Sequence, residues 1–249
     1  MVHINYIIGS GWFSDEFNKT ELGKISNSHQ KKYGGTCGRN KNFSKLWLSH
    51  ILKQSILPKK IYILDADSPE DIDENVKNHD LVDITKQIQN FGHGVYCEKH
   101  NILCGWARGF LHGAMQAYLN DCHYVYVEQD LLLFGNSFLE NIFKLLEQNN
   151  KEICCLNGNE TPQKLQQSLV VVKNSYLIKF ISSLINCTDN TITEEEKHYR
   201  IIKDDVMWCQ YRGGRQRRNL DKENYCLQHL TNEELNKLKK ESKLINLFD

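Results

Sequence analysis

No run of apolar residues in this 249-residue chain is long enough to cross a membrane, and its start, MVHINYII, lacks the basic residues and apolar length of a signal peptide. Net charge is missing too: 31 Lys and Arg balance 31 Asp and Glu, so there is no global electrostatic footprint for nucleic acid. No internal repeat, low-complexity linker or break in composition divides the sequence. The nine cysteines are scattered and odd in number, as expected of reduced thiols that pack rather than pair. His93, Cys97, His100 and Cys104 are spaced like zinc ligands, yet no C-x-x-C pair accompanies them and Cys104 reads as a helix start. The sequons at Asn18, Asn42, Asn159 and Asn186 matter only in a secreted chain. These absences point to a cytoplasmic protein with no transmembrane segment and no nucleic-acid partner.

What is present is the composition of an ordinary globular protein, 40% hydrophobic and 25% charged, with strand-like and helix-like segments in alternation. INYII (4–8) reads as a first strand, followed by a polar, glycine-dotted stretch over 13–41. Asn42 then caps an amphipathic helix, FSKLWLSHILKQS, with Phe43, Leu46, Trp47, His50 and Ile51 along one face. KKIYILDADSPED is a strand running into an acidic turn, and 81–84 a short strand. Residues 104–119 form a helix, 123–133 a buried strand, and SFLENIFKLLEQ a helix with Ser137 as its cap. EICCLN and SLVVVKNS are strands and YLIKFISSLI a helix. EEEKHYRIIKDDVMWCQYR reads as an acidic turn and a helix, and 231–244 as a charged terminal helix. The alternation predicts a single α/β domain with a mainly parallel sheet.

Four groups of residues could carry chemistry. Asp65 and Asp67 stand where a buried strand ends, the side on which open α/β sheets bind ligands, and either could accept from a nucleobase or ribose; Asp67 or Ser68 could equally cap the next helix. Glu128 and Asp130 flank Gln129 within HYVYVEQDLLLFG, two carboxylates on one side of an extended chain. Such a pair needs a cationic partner, either a hard divalent ion bridging to substrate phosphates or a buried arginine or backbone N–H groups. Asp204 and Asp205 precede VMWC and would lie in the first turn of a helix, where the dipole favours acids; one of them could instead serve as a general base. His229 follows a short strand-like run and could be structural or a metal ligand, while Arg212, Arg215, Arg217 and Arg218 could clamp phosphates or form a solvated turn.

The order of these segments resembles that of the GT-A-fold glycosyltransferases, particularly the large inverting group that uses nucleotide-diphosphate sugars. IYILDADSPEDI is similar to that group's VVDDGSTDDT segment, NILCGWARGFLHGA to its ARN-bearing helix, and YVYVEQDLLL falls where it carries a DxD metal motif. SLVVVKNSYL resembles its acceptor-side strand and KDDVMWCQYR its GEDVDLCLR helix. The similarity spans roughly residues 55–230. Departures are Glu for the first Asp of the metal motif, Gly109 where Asn is usual, an acceptor segment without the usual glycines, and a long insertion over 9–41.

The resemblance implies a single GT-A, Rossmann-like domain over 1–249, with 212–249 supplying a lid loop and a C-terminal helix. It implies a metal-dependent transferase that moves a sugar from a nucleotide-diphosphate donor to a glycan, lipid or protein hydroxyl. Asp130, Glu128 and His229 would hold Mn²⁺ or Mg²⁺. Asp65, Asp67, Arg108, Gln129 and Arg215 would contact the donor. Asp205, with Asp204 beside it, would be the base of an inverting reaction. The alternative is a catalytically degenerate scaffold that binds carbohydrate or a partner. A nucleotidyltransferase would want a basic, glycine-rich loop straight after the first strand, and IIGSGWFSDEF carries Gly9 and Gly11 but no basic residue.

Overall fold

The computed structural model describes residues 4–20, 23–24, 43–92, 103–158, 164–189, 191–209, 212–213 and 224–228, with residues 230, 233 and 236. Along this chain run β1 (Tyr6–Trp12), α1 (Phe43–Leu52), β2 (Lys60–Asp65), α2 (Glu74–Lys77), β3 (Val82–Lys86), α3 (Gly105–Leu119), β4 (His123–Val127) and β5 (Leu131–Phe134). They are followed by α4 (Phe138–Gln148), β6 (Ile153–Asn157), β7 (Leu165–Val172), α5 (Asn174–Asn186), α6 (Glu194–Ile202), β8 (Val206–Cys209), β9 (Arg212–Gly213) and β10 (Tyr225–Gln228).

Seven strands make one sheet in the order β3-β2-β1-β4-β7-β6-β8, and β5-β10-β9 make a second, smaller one. In the large sheet β7 alone runs against its neighbours, pairing antiparallel with β4 and β6. The pairs β1–β2, β1–β4, β2–β3 and β6–β8 are parallel. The α/β architecture with a mainly parallel central sheet is therefore as the alternation predicts.

Apolar side chains on both faces explain why helices cover both. On one face α1 and α4 bury Trp47, Leu46, Ile51, Phe138, Ile142 and Leu146 against Ile8, Val125, Val127 and the β5–β10 strands. In α4 these positions recur at helical spacing, and each such side chain taken from water contributes roughly 1.5–3 kcal/mol. The other face carries α3, α5 and α6, with Phe110, Ala114, Phe180, Leu184 and Ile202 packed on Ile7, Tyr124 and Val170.

α3 lies unusually close to β1. A Cβ on Gly109 would stand 2.6 Å from the Cα of Gly11, and one on Gly113 would stand 2.8 Å from the Cα of Gly9. Tyr124 caps the contact by donating its hydroxyl to the Phe110 carbonyl at 2.8 Å. Packing of backbone on backbone thus explains Gly109, the glycine that departs from the glycosyltransferase pattern. It also brings the first turn of α3 to the carboxyl end of β1.

Four expectations need correction. Residues 123–133 are two strands in two sheets, not one, because the chain turns at 128–130 and Leu131 N–H bonds back to the Glu128 carbonyl at 3.0 Å. The helix expected over KDDVMWCQYR ends earlier: α6 stops at Ile202, and VMWC is the strand β8, with Trp208 opposite Cys155 of β6. Ser137 precedes α4 but makes no capping bond with its side chain. β1 also runs on to Trp12, so the inserted stretch begins at Phe13 rather than residue 9. Asn42, most of the 13–41 stretch, the 214–223 loop and the body of the terminal helix lie outside the described residues. Among the described residues no helix is long and apolar enough to cross a membrane.

Candidate functional site

The strand order reverses between β1 and β4, since β2 lies on one side of β1 and β4 on the other. Loops leaving β1, β2 and β4 therefore diverge at one edge of the sheet, the place where open α/β sheets receive ligands. Residues 13–15 follow β1, 66–70 follow β2 and 128–130 follow β4, and their polar groups are bonded to one another.

Gln129 is the clasp between two of these loops. It is 5% exposed, its Oε1 accepts from Phe13 N–H, and its Nε2 donates to the Phe13 carbonyl at 3.1 Å. Its amide pairs with the loop after β1 as a neighbouring strand would, a positioning role. The second clasp runs through Ser14, whose N–H donates to Ser68 Oγ at 2.9 Å. Ser68 N–H donates in turn to Asp65 Oδ1 at 2.7 Å. Asp65 thus closes its own turn, and burial raises its carboxyl above the ordinary range, against the opposing effect of the Ser68 bonds. Asp67, by contrast, is exposed, with φ of 58° and Lys86 at 3.9 Å. The helix after this turn is capped by Asp73, not by Asp67 or Ser68.

Glu128 and Asp130 sit in the turn between β4 and β5. Gln228 on β10 donates through one nitrogen, Nε2, to Glu128 Oε2 at 2.8 Å and to Asp130 Oδ1 at 3.1 Å. Trp47 Nε1–H holds the Glu128 carbonyl at 3.1 Å, which fixes the turn against α1. Asp130 is 5% exposed and Glu128 half-buried. Two carboxylate oxygens that converge on one electropositive centre are a hard-oxygen donor set of the kind Mg²⁺ and Mn²⁺ take. Among the described residues no group of three or more His, Cys, Asp and Glu gathers as a metal cluster; His229 lies outside them, as do Arg215, Arg217 and Arg218. His93, Cys97 and His100 also fall outside, while Cys104 is buried at the start of α3.

Arg108, in the second turn of α3, places its guanidinium 3.5 Å from the centroid of the Phe91 ring and donates Nε–H to the Leu103 carbonyl at 2.9 Å. It is a cation at the same edge, held by stacking and one backbone bond.

Asp204 and Asp205 are elsewhere. β8 is parallel to β6, and Val206 faces Ile153, which faces Val172, which faces Tyr124 near the start of β4. The two acids therefore stand at the amino edge of the sheet, a strand's length from Asp130. Asp205 accepts from the Tyr176 hydroxyl at 2.7 Å and from Lys179 Nζ at 2.9 Å, and these two bonds hold its carboxyl below the ordinary range. The separation of Asp205 from the acidic turn follows from β8 being a strand.

The acid that α6 does bring to the carboxyl edge is Glu194, in its first turn. Glu194 is 6% exposed; Oε1 pairs with Lys197 Nζ at 2.8 Å and Oε2 has no hydrogen-bond partner. His198, one turn further along α6, packs its ring 4.6 Å from that of Trp106 in the first turn of α3, and burial lowers its pKa to about 3, so it is neutral. Sequence reasoning missed Ser14, Gln228 and Glu194, and gave Ser68 only as a possible helix cap. Only Glu194 had a local signal, Thr193 ahead of three acids, the pattern of a helix start. A further missed acid, Asp15, is buried and accepts from Lys19 N–H, Thr20 N–H and the Thr20 hydroxyl at 2.7 to 2.9 Å, which folds the 15–20 loop onto itself.

No protein-family model matches the chain, and no curated protein matches it in sequence. Among solved structures it is similar to the glycosyltransferase GlyE of Streptococcus pneumoniae TIGR4, at 10% identity and a TM-score of 0.45, with 83% of this chain and 45% of that one covered. It is similar to the mannosyltransferase PcManGT of Pyrobaculum calidifontis, solved with GDP-Man and Mn²⁺, at 12% identity and a TM-score of 0.49, covering 82% of this chain and 54% of that one. A third similar structure is a Bacillus anthracis protein provisionally assigned as a glucose-1-phosphate thymidylyltransferase, at 9% identity and a TM-score of 0.49, covering 96% and 95%. The chain thus spans about half the length of the first two.

Proposed function

We propose that this chain is a metal-dependent glycosyltransferase that moves a sugar from a nucleotide-diphosphate donor to an acceptor hydroxyl. The observation that carries the reading is the acidic turn after β4. Glu128 and Asp130 leave the sheet at its switch point and direct two oxygens at one electropositive nitrogen. The order of acidic segments along the chain, which resembles that of GT-A-fold transferases, supports the same reading.

When bound at Glu128 and Asp130, Mn²⁺ or Mg²⁺ would neutralise charge on the departing nucleoside diphosphate. Asp67, exposed at the end of β2, accepts from ribose or base, while Asp65 and Ser68 hold its turn in place. Gln129 fixes the loop after β1 against the acidic turn, so that the donor meets a preformed edge. Arg108 adds a guanidinium for the diphosphate, and Arg215 and His229 retain the donor and metal roles given by the resemblance. Glu194 replaces Asp205 as the group that takes the acceptor proton. Its spare oxygen can accept a hydroxyl, while Lys197 holds the other oxygen in place. A base acting on a hydroxyl opposite the leaving diphosphate inverts the anomeric centre.

Asp205's distance from this edge favours a second reading, a scaffold that binds a sugar nucleotide or glycan without turning it over. Incubation with UDP- and GDP-sugars and Mn²⁺ separates the two. Release of nucleoside diphosphate that stops on chelation supports the transferase; binding without release under every donor supports the scaffold.

A further inference from the structure

Two buried oxygens, on residues that bond to the acidic turn, make no hydrogen bond among the described residues. One is Gln228 Oε1, on the side chain whose nitrogen already joins Glu128 to Asp130. The other is Ser168 Oγ on β7, in a residue only 1% exposed. Ser168 stands directly across from Glu128, since Val127 pairs with Leu169 and Glu128 N–H donates to the Ser168 carbonyl at 2.8 Å. Facing residues of an antiparallel pair direct their side chains to one face of the sheet, so the Ser168 hydroxyl and the Glu128 carboxylate share a face. Buried oxygens of this kind are normally satisfied by protein, water or an ion.

We infer that Gln228 is a third oxygen ligand of the divalent cation held by Glu128 and Asp130. This inference rests on the metal-dependent reading above and adds a residue to it. In the cation-free arrangement the two N–H bonds of Gln228 stand in for the ion, placing positive charge between the carboxylates. An ion arriving at that point displaces the NH₂ group, and half a turn of the terminal amide presents Oε1 in its place. The amide gives up two hydrogen bonds and its orphaned oxygen gains a ligand bond. Glu128 Oε2 and Asp130 Oδ1 then need to close by about 1 Å to reach the 2.0–2.1 Å of a Mg²⁺–oxygen bond. Such an ion keeps several waters. No proton or electron is exchanged; the step is a ligand replacement.

The test is a binding titration of Mn²⁺ read by electron paramagnetic resonance, alone and with UDP or GDP, on the full chain. Gln228→Met keeps the side chain's length and removes both amide atoms. If Gln228 is a ligand, this variant binds Mn²⁺ at least tenfold more weakly than the wild type. If the amide only covers the carboxylates, Mn²⁺ binds the variant equally or more tightly, which overturns the inference. Wild-type protein that binds no Mn²⁺, even with either diphosphate, overturns the metal reading itself and the inference with it. Should Gln228→Met fail to fold, manganese anomalous diffraction from the wild type decides instead. Mn²⁺ within bonding distance of the Gln228 side-chain oxygen supports the assignment, and Mn²⁺ on the carboxylates with the amide turned away contradicts it.

Discussion

Acids cluster at both edges of the seven-stranded sheet, and they are held in different ways. At the amino edge Asp205 is paired with Lys179 and Tyr176, and Glu147 and Glu152 share Lys173. Asp205 is partly open to solvent, and exposed ion pairs of this kind contribute little to stability. At the carboxyl edge the described partners of Asp65, Glu128 and Asp130 are backbone N–H groups, hydroxyls and one amide. The amide of Gln228 is a neutral partner common to Glu128 and Asp130, whereas Asp205 has a lysine 2.9 Å away. A pair of acids side by side in sequence therefore says little about function until its partners are known.

The largest effect should come from Asp130→Asn. It removes a charge from the acidic turn while keeping the shape, so divalent-dependent affinity for a nucleoside diphosphate should fall by about 100-fold or more in calorimetry, with circular dichroism unchanged. A matched pair of variants then contrasts the two edges. Glu194→Gln should lower donor turnover by about 10²- to 10⁴-fold, the range lost with a general base, and Asp205→Asn should leave turnover within about threefold. The reverse ranking in a steady-state assay would return the base role to the amino edge. Next in size is the α3–β1 contact. Gly109→Ala forces a methyl group into the Gly11 backbone and should destabilise the fold by about 1–3 kcal/mol, measured by urea denaturation.

The smallest effects concern pH, and the two edges should differ in sign. Asp205 has a lowered carboxyl pKa in the fold, so its partners stabilise the protein above the unfolded value of about 3.9, and that contribution is lost as pH falls through the folded value. Asp65 has a raised pKa, so its charge costs stability at neutral pH, and the cost disappears as pH falls through the raised value to the unfolded one. Asp65→Asn should therefore stabilise the protein most near pH 7, with a gain that shrinks towards pH 4. Asp205→Asn should destabilise it near pH 7 by an amount that shrinks in acid. Urea midpoints measured across that range check both slopes.

Much of the fold was legible because periodicity is a local signal. The faces of α1 and α4 and the buried runs of β2, β6 and β7 could be read from spacing alone. VMWC could not, because four apolar residues after two acids fit a helix start or a strand equally well, and only pairing with β6 decides. The resemblance to a helical motif implies a base role for Asp205, whereas β8 as a strand sets that residue at the amino edge. HYVYVEQDLLLFG shows the opposite limit: the acids were legible, but the turn dividing β4 from β5 depends on Trp47, 81 positions away, and on a second sheet. Gln228 and Ser168 were invisible for the same reason, since their meaning comes from facing Glu128 across the fold.

The most direct test of the account is a crystal structure with a nucleoside diphosphate and Mn²⁺, using the anomalous signal to locate the metal. The account predicts a peak between Glu128 and Asp130, within about 2.0–2.6 Å of their oxygens, with the diphosphate at the carboxyl edge. A nucleotide bound there with no metal at the acidic turn, or a metal at the Asp204–Asp205 edge, would contradict it.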